Sequence, residues 1–384
     1  MKRIDAKTKS MVIKRFFFSV LLLASVAIPS RALADCNGEP SNYRRSVVTY
    51  YETPDVFFNP SAFTNSLCTL TVNGTGRTVC RTRLRGALYL PLNATRTSRF
   101  PAIIVNHGSG ADFEANSQFC EIANYFVPRG YMLFVPFRRG QGDDDAPYPD
   151  DPPNPNDPTN ISDKSTGIYI DDFVADFVSA NPTYIHQTNR TAGDGDCYRA
   201  ELFKQQAEQE VADYAMNYLK SRPDIKVEGR GDYAIAIMGN SYGGAVTVLA
   251  NRIVAGHKAA VAFSPAAQQW ALENCLPEDQ TCGGAVQRAL LSAAKNATKP
   301  AFYLQAKWDY DTRPTIDLAY AHAYGSSDDK HGHRFMASIF PYPNPCPDIR
   351  CSPDDYQSVH VGFFRAPDRW GPFVLEFLRQ YGVK

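Results

Sequence analysis

Two spacings of apolar residues alternate along this chain. Short apolar runs at 101–106, 131–135, 233–238, 259–263, 301–305 and 334–340 read as strands, those at 101–106 and 259–263 of the type buried on both faces. Between them stand stretches of helical spacing: 117–127, 201–220, the segment after residue 241, 284–296, 315–324 and 370–381. In 201–220 the apolar positions Phe203, Ala207, Val211, Ala215 and Leu219 return every fourth residue. Upstream, 46–51, 67–72 and 78–90 read as strands, the last two joined by the turn Asn73-Gly74-Thr75-Gly76. The pattern predicts the α/β class: a mostly parallel sheet with helices on both faces and an antiparallel N-terminal edge.

The rhythm fails in two places. From about 143 to 199 it gives way to a stretch whose first part, 143–158, is dense in Asp, Pro and Asn, with a short amphipathic helix expected near 168–178. Excursions of this length in a single domain are usually lids or binding loops, or else disordered segments, and a lid-like insertion is expected. Its acidic spacing fits no EF-hand loop and reads as solvated.

The second break is at the start. A basic region (Lys2, Arg3, Lys7, Lys9, Lys14, Arg15), an apolar core over 16–28 and the small-x-small triplet Ala32-Leu33-Ala34 form an export signal over 1–34. The remainder, 35–384, reads as a single domain, and the chain is expected to be secreted or periplasmic. The apolar core is too short to span a bilayer and no later stretch is longer, so no membrane span is expected. Asp35 ahead of Cys36 argues against lipidation.

Export changes the picture of charge. The chain has 40 basic and 40 acidic residues; residues 1–34 hold seven of the basic (Lys2, Arg3, Lys7, Lys9, Lys14, Arg15, Arg31) and one acidic (Asp5), which leaves 33 against 39 and a net charge of −6. That balance argues against nucleic acid as a partner, and none is expected. All nine cysteines lie in the exported part. Cys68 with Cys80, Cys275 with Cys282 and Cys346 with Cys351 are plausible disulfides for an oxidising compartment. Cys36, Cys120 and Cys197 are left over. No histidines stand beside these cysteines at ligand spacing, so no metal and no cofactor are expected. Oligomeric state is not written in the sequence.

The candidate chemistry centres on Gly239-Asn240-Ser241-Tyr242-Gly243, which lies between the strand 233–238 and a helix start at Gly244. Strand, G-x-S-x-G, helix is the context of a nucleophile elbow. Its glycines admit the close backbone approach that a sharp turn demands, and the following helix aims free N–H groups at the serine. Ser241 is the expected nucleophile.

In open parallel sheets, sites lie outside the carboxyl ends of the strands. The acid is then expected after 301–305, where Asp309, nearer the strand end, is preferred over Asp311. Of seven histidines, His186 and His257 come too early for the order Ser–acid–His, and His107 shapes the loop after 101–106. His322 lies inside a helix, and His331 and His333 precede their strand. His360, between the last strand and the last helix, is the expected base. The oxyanion hole needs two backbone N–H groups: that of Tyr242 and that of Ser109, with Gly108 as the alternative.

With these residues placed, the chain resembles the α/β-hydrolase superfamily, and within it the dienelactone-hydrolase-related esterases. The motifs are Asn106-His-Gly-Ser-Gly110, Arg138-Arg-Gly-Gln-Gly142, Gly239-Asn-Ser-Tyr-Gly-Gly244, Gln305-Ala-Lys-Trp-Asp309 and His360 ahead of Trp370-Gly-Pro-Phe-Val-Leu-Glu-Phe-Leu378. They cover residues 84 to 381. One departure matters: dienelactone hydrolases carry a cysteine where this chain has Ser241. The resemblance therefore implies a serine esterase acting on a small-molecule or polymeric ester, not a lactonase. A peptidase of the same fold and a non-catalytic binding protein on a hydrolase scaffold are the competing expectations.

Overall fold

The computed structural model describes residues 43–52, 56–58, 70–72, 77–80, 83–108, 118–137, 203–204, 206–229, 231–253, 256–267, 270, 284–325, 334–344 and 353–384. The expected export signal, the insertion over 143–199, Ser109, Asp143-to-Pro158 acidic stretch, His186, His331 and His333 lie outside them, as do the side chains of the three expected cysteine pairs.

In chain order, β1 (Tyr43–Glu52) is followed by three short strands, β2 (Val56–Phe58), β3 (Leu70–Val72) and β4 (Arg77–Cys80), and by β5 (Arg83–Pro91). The first strand–helix–strand unit is β6 (Ala102–Asn106), α1 (Gln118–Phe126) and β7 (Met132–Pro136). Next comes α2, a π-helical stretch Gln206–Ala215 that passes into the α-helix Met216–Ser221. A small hairpin of β8 (Val227–Glu228) and β9 (Asp232–Tyr233) leads into β10 (Ile235–Asn240) and α3 (Tyr242–Ile253). The rest is β11 (Ala259–Phe263), α4 (Ala285–Lys295), β12 (Ala301–Ala306), α5 (Arg313–Gly325), β13 (Phe335–Phe340), α6 (Pro353–Phe364) and α7 (Pro367–Gln380).

Eight strands make the main sheet, in the order β1-β5-β7-β6-β10-β11-β12-β13. The pairs β1–β5 and β5–β7 are antiparallel and every later pair is parallel. This is the α/β class with an antiparallel N-terminal edge that the apolar pattern implies. The edge differs in one respect. The expected strand 78–90 is two strands, β4 and β5, and β4 joins β2 and β3 in a separate three-stranded sheet. Only β1 and β5 extend the main sheet.

Period-two alternation sorts the strand residues between two cores. Ile104, Met132, Phe134, Ile235 and Ile237 face α2, α3, α4 and α5, with Val211, Leu219, Leu249 and Leu290 among the packed helix residues. Ile103, Val105, Leu133, Met238 and Phe263 face α1, α6 and α7, where Phe126, Phe363, Trp370 and Leu378 close the layer. Helices thus cover both faces, which is why the central strands are buried at every position.

The four-residue stripe in α2 has a geometric consequence. On an ordinary α-helix each step of four residues overshoots a full turn by about 40°, so five such positions would spiral off one face. A π-helical stretch has a wider turn and rotates the stripe back. Phe203, Ala207, Val211, Ala215 and Leu219 are accordingly all buried, on one face. Among the described residues no helix is long and apolar enough to cross a membrane.

Candidate active site

The ends of β10, β11 and β12 lie side by side, and each carries a residue of the site. Ser241 follows β10 with φ 56°, a left-handed backbone that a serine adopts only under constraint. The constraint is visible. Ser241 N–H donates to Phe263 O at 3.0 Å, and Ser241 O accepts from Ala245 N–H and Ala266 N–H at 3.0 and 3.1 Å. The turn is so tight that side chains are excluded beside it. A Cβ on Gly239 would run into the carbonyl of Gly243, and one on Gly243 into the carbonyls of Asn106 and His107.

The loop after β6 is pinned to the same turn. Asn106 Nδ2 donates to Thr247 Oγ1 at 2.8 Å, and Thr247 Oγ1 donates to Gly243 O at 2.8 Å. His107 is fully buried, with Nδ1 at 2.9 Å from Gly108 O, and so shapes the loop as expected of it. Gly108 itself lies against the elbow: a Cβ there would stand 3.7 Å from Ser241 Cβ. Tyr242, at the start of α3, packs edge-on against Phe203 with ring centroids 4.3 Å apart. Ser109, expected to give the second oxyanion N–H, lies outside the described residues.

Asp309 and His360 are brought together. His360 Nδ1 stands 2.8 Å from Asp309 Oδ1 and 3.0 Å from Oδ2, and both residues are buried. Asp309 also accepts Tyr310 N–H at 2.7 Å on Oδ1 and the Ser264 hydroxyl at 2.5 Å on Oδ2. A buried carboxylate that accepts from three donors is held in one orientation. Asp311 is engaged elsewhere. Its carboxylate receives the backbone N–H and the guanidinium of Arg313, while its carbonyl accepts from Gln305, whose own oxygen accepts Thr315 Oγ1. It is part of the start of α5 and does not meet His360.

His360 is not on a loop. It lies in α6, a helix the apolar pattern did not reveal, so lying inside a helix was no ground for setting His322 aside. The better ground is its surroundings: buried His322 has its Nδ1 3.1 Å from the Tyr303 hydroxyl, beneath α5. Burial pushes its pKa down to about 4. His257 is likewise buried, with Nε2 2.8 Å from Asn251 Oδ1. His360 Nε2 is buried and has no hydrogen-bond partner among the described residues. It is the ring nitrogen a general base needs free.

Two residues of the site were not anticipated. Ser264 follows β11 as Ser241 follows β10, and the strand-end rule applied to 259–263 points to it. Tyr310 meets the His360 ring edge-on, with centroids 5.6 Å apart, and its hydroxyl donates to Gln357 on α6 at 2.6 Å.

No family model and no curated protein matches the chain. Among solved structures it is similar to the Pyrococcus horikoshii acylaminoacyl peptidase, at 13% identity and a TM-score of 0.46, over 86% of this chain and 42% of that one. A provisional dienelactone hydrolase from Klebsiella pneumoniae is similar at 15% identity and 0.40, over 78% and 94%. The Pyrococcus furiosus esterase is similar at 14% identity and 0.41, over 78% and 88%. This chain spans less than half the length of the peptidase. With TM-scores below 0.5, these likenesses decide nothing about the site. The fold follows from the topology itself: antiparallel edge, crossed β7–β6 order, parallel remainder and a strained serine between β10 and α3 make it an α/β-hydrolase fold.

Proposed function

We propose that the protein is an exported serine hydrolase that cleaves a carboxylic ester through an acyl-enzyme, with Ser241 as nucleophile, His360 as base and Asp309 as acid. The observation that carries the reading is a serine forced to φ 56° at the strand–helix turn after β10, with a buried Asp309–His360 hydrogen bond built on the end of β12, two strands along the same sheet. Ser241 Oγ attacks the ester carbonyl, and His360 Nε2 takes its proton and passes it to the leaving alcohol. Asp309, accepting Nδ1–H, holds that tautomer and stabilises the imidazolium. The carbonyl oxygen gathers charge against the Tyr242 N–H at the start of α3 and a second N–H from the loop after β6, Ser109 or its neighbour Gly108. Water then releases the acid by the same steps in reverse.

An ester, rather than an amide, is the substrate implied by the motif resemblance. Export rests on the N-terminal pattern of charge and apolar residues over 1–34. One hydrolase domain over 35–384, carrying the insertion 143–199, belongs to the same proposal. The test is hydrolysis by the purified exported chain of p-nitrophenyl esters of increasing acyl length, beside matched p-nitroanilides. Esters turned over by the wild type and not by Ser241→Ala support the proposal. Turnover confined to the anilides replaces the esterase with a peptidase, and no turnover of either class refutes it.

A further inference from the structure

Three non-glycine residues among those described have positive φ: Ser241 at 56°, Ser264 at 44° and Ala266 at 55°. All three surround the same turn. Ser241 is accounted for by the elbow, and Ala266 by the N–H it gives to Ser241 O. Ser264 opens the next turn: its backbone N–H donates to Leu304 O at 2.8 Å and its carbonyl accepts Ala267 N–H at 3.1 Å. A strained backbone persists where something over-determines it. The side chain adds a further anchor. Ser264 is fully buried, and its hydroxyl donates to Asp309 Oδ2 at 2.5 Å.

We infer that Ser264 is a positioning residue for the proposed triad: its hydroxyl fixes the Asp309 carboxylate that orients His360. This rests on the serine-hydrolase reading above. The Asp309 side chain has no exposed surface, so no water replaces a lost donor at Oδ2. Oδ1 takes Tyr310 N–H and the shorter of the two His360 contacts, which leaves Oδ2 to Ser264 and the longer one. Asp311, the next carboxylate, is committed to Arg313, so the groups facing Asp309 are His360 from α6, Ser264 from the end of β11 and Tyr310 on its own loop. Removing the hydroxyl leaves Oδ2 without its donor and lets the carboxylate turn, so the imidazole is presented less often in the productive orientation.

Two variants separate this role from a packing role. Ser264→Ala and Ser264→Gly both lose the hydroxyl, but only glycine relieves the positive φ. With a p-nitrophenyl ester, both are expected to lose about tenfold in kcat with KM within about twofold, the cost of a charged hydrogen bond lost from a dry site. Ser264→Gly should melt above Ser264→Ala, since only glycine relieves the positive φ. The Nδ1–H resonance of His360, followed by NMR without substrate, should move in both variants. If Ser264→Gly keeps wild-type kcat, or the His360 Nδ1–H resonance is unmoved in both variants, the inference is overturned while the hydrolase reading stands. If the wild type hydrolyses no ester, or Ser241→Ala still does, the hydrolase reading falls and this inference falls with it.

Discussion

His360 places Nδ1 between the two carboxylate oxygens of Asp309, at 2.8 and 3.0 Å, while Asp311, two residues on, is bound by Arg313. The two aspartates are therefore not interchangeable. Asp309→Asn offers an amide where His360 needs an acceptor, and the wrong tautomer results; kcat should fall by roughly three to four orders of magnitude. Asp311→Asn removes an ion pair whose arginine is half exposed, so it should cost about 1 kcal/mol or less and change kcat little. Steady-state kinetics beside urea titrations check both. A larger catalytic loss in Asp311→Asn contradicts the assignment of the acid.

Gly243 should tolerate no side chain. A Cβ there meets the Asn106 and His107 carbonyls, backbone atoms fixed by β6 and by the Asn106–Thr247–Gly243 hydrogen bonds. Gly243→Ala must then push the loop after β6 away from the elbow. The expected result is a loss of several kcal/mol in stability, or no soluble protein. A variant with wild-type melting temperature and kcat would show that the turn is looser than described.

Trp370 joins the parts that must not shift. It donates Nε1–H to Phe363 O at 3.0 Å, stacks on Phe364 and meets Phe263, the residue before Ser264, edge-on at 4.5 Å. Trp370→Ala should cost about 3–5 kcal/mol, measured by denaturant unfolding. In the fraction that remains folded, kcat should fall more than KM rises, because α6, which carries His360, loses its footing. Equal stability in the two proteins would contradict this packing.

Acid should weaken the fold through His322. Its pKa is pushed down to about 4 by burial, against an unfolded value near 6.5. Between these values the unfolded chain binds a proton that the folded chain refuses. Stability is thus full above about pH 6.5 and is lost as pH falls toward about 4, by up to about 3 kcal/mol from this group. His322→Gln still offers Tyr303 an acceptor but does not titrate. Urea midpoints at pH 7 and pH 4.5 should differ less in the variant than in the wild type; equal differences exclude His322 as a source.

Much of this arrangement is legible in the sequence because burial on both faces leaves a plain signal. The runs 259–263 and 301–305 meet β11 and β12 almost residue for residue, and the glycines around Ser241 announce a turn whose walls are backbone carbonyls. Where the signal is mixed, the reading is less complete. In α6 the described residues of the first half are polar or half-exposed and the apolar residues, Val359, Phe363 and Phe364, gather at its end, so no helix was expected around His360. The π-helical turn in α2 was not foreseen, although spacing by strict fours is its trace. Ser264 was missed because a serine after a strand is common, and only its φ and its contact with Asp309 set it apart.

The central claim is that Ser241 is the reactive nucleophile. A fluorophosphonate probe, followed by digestion and mass mapping of the adduct, tests it without any assumption about substrate. The account predicts one labelled residue, Ser241, with labelling abolished in Ser241→Ala and strongly slowed in His360→Ala, while both variants stay folded. Labelling that persists in Ser241→Ala, or a folded wild type that the probe leaves unmodified, would contradict it.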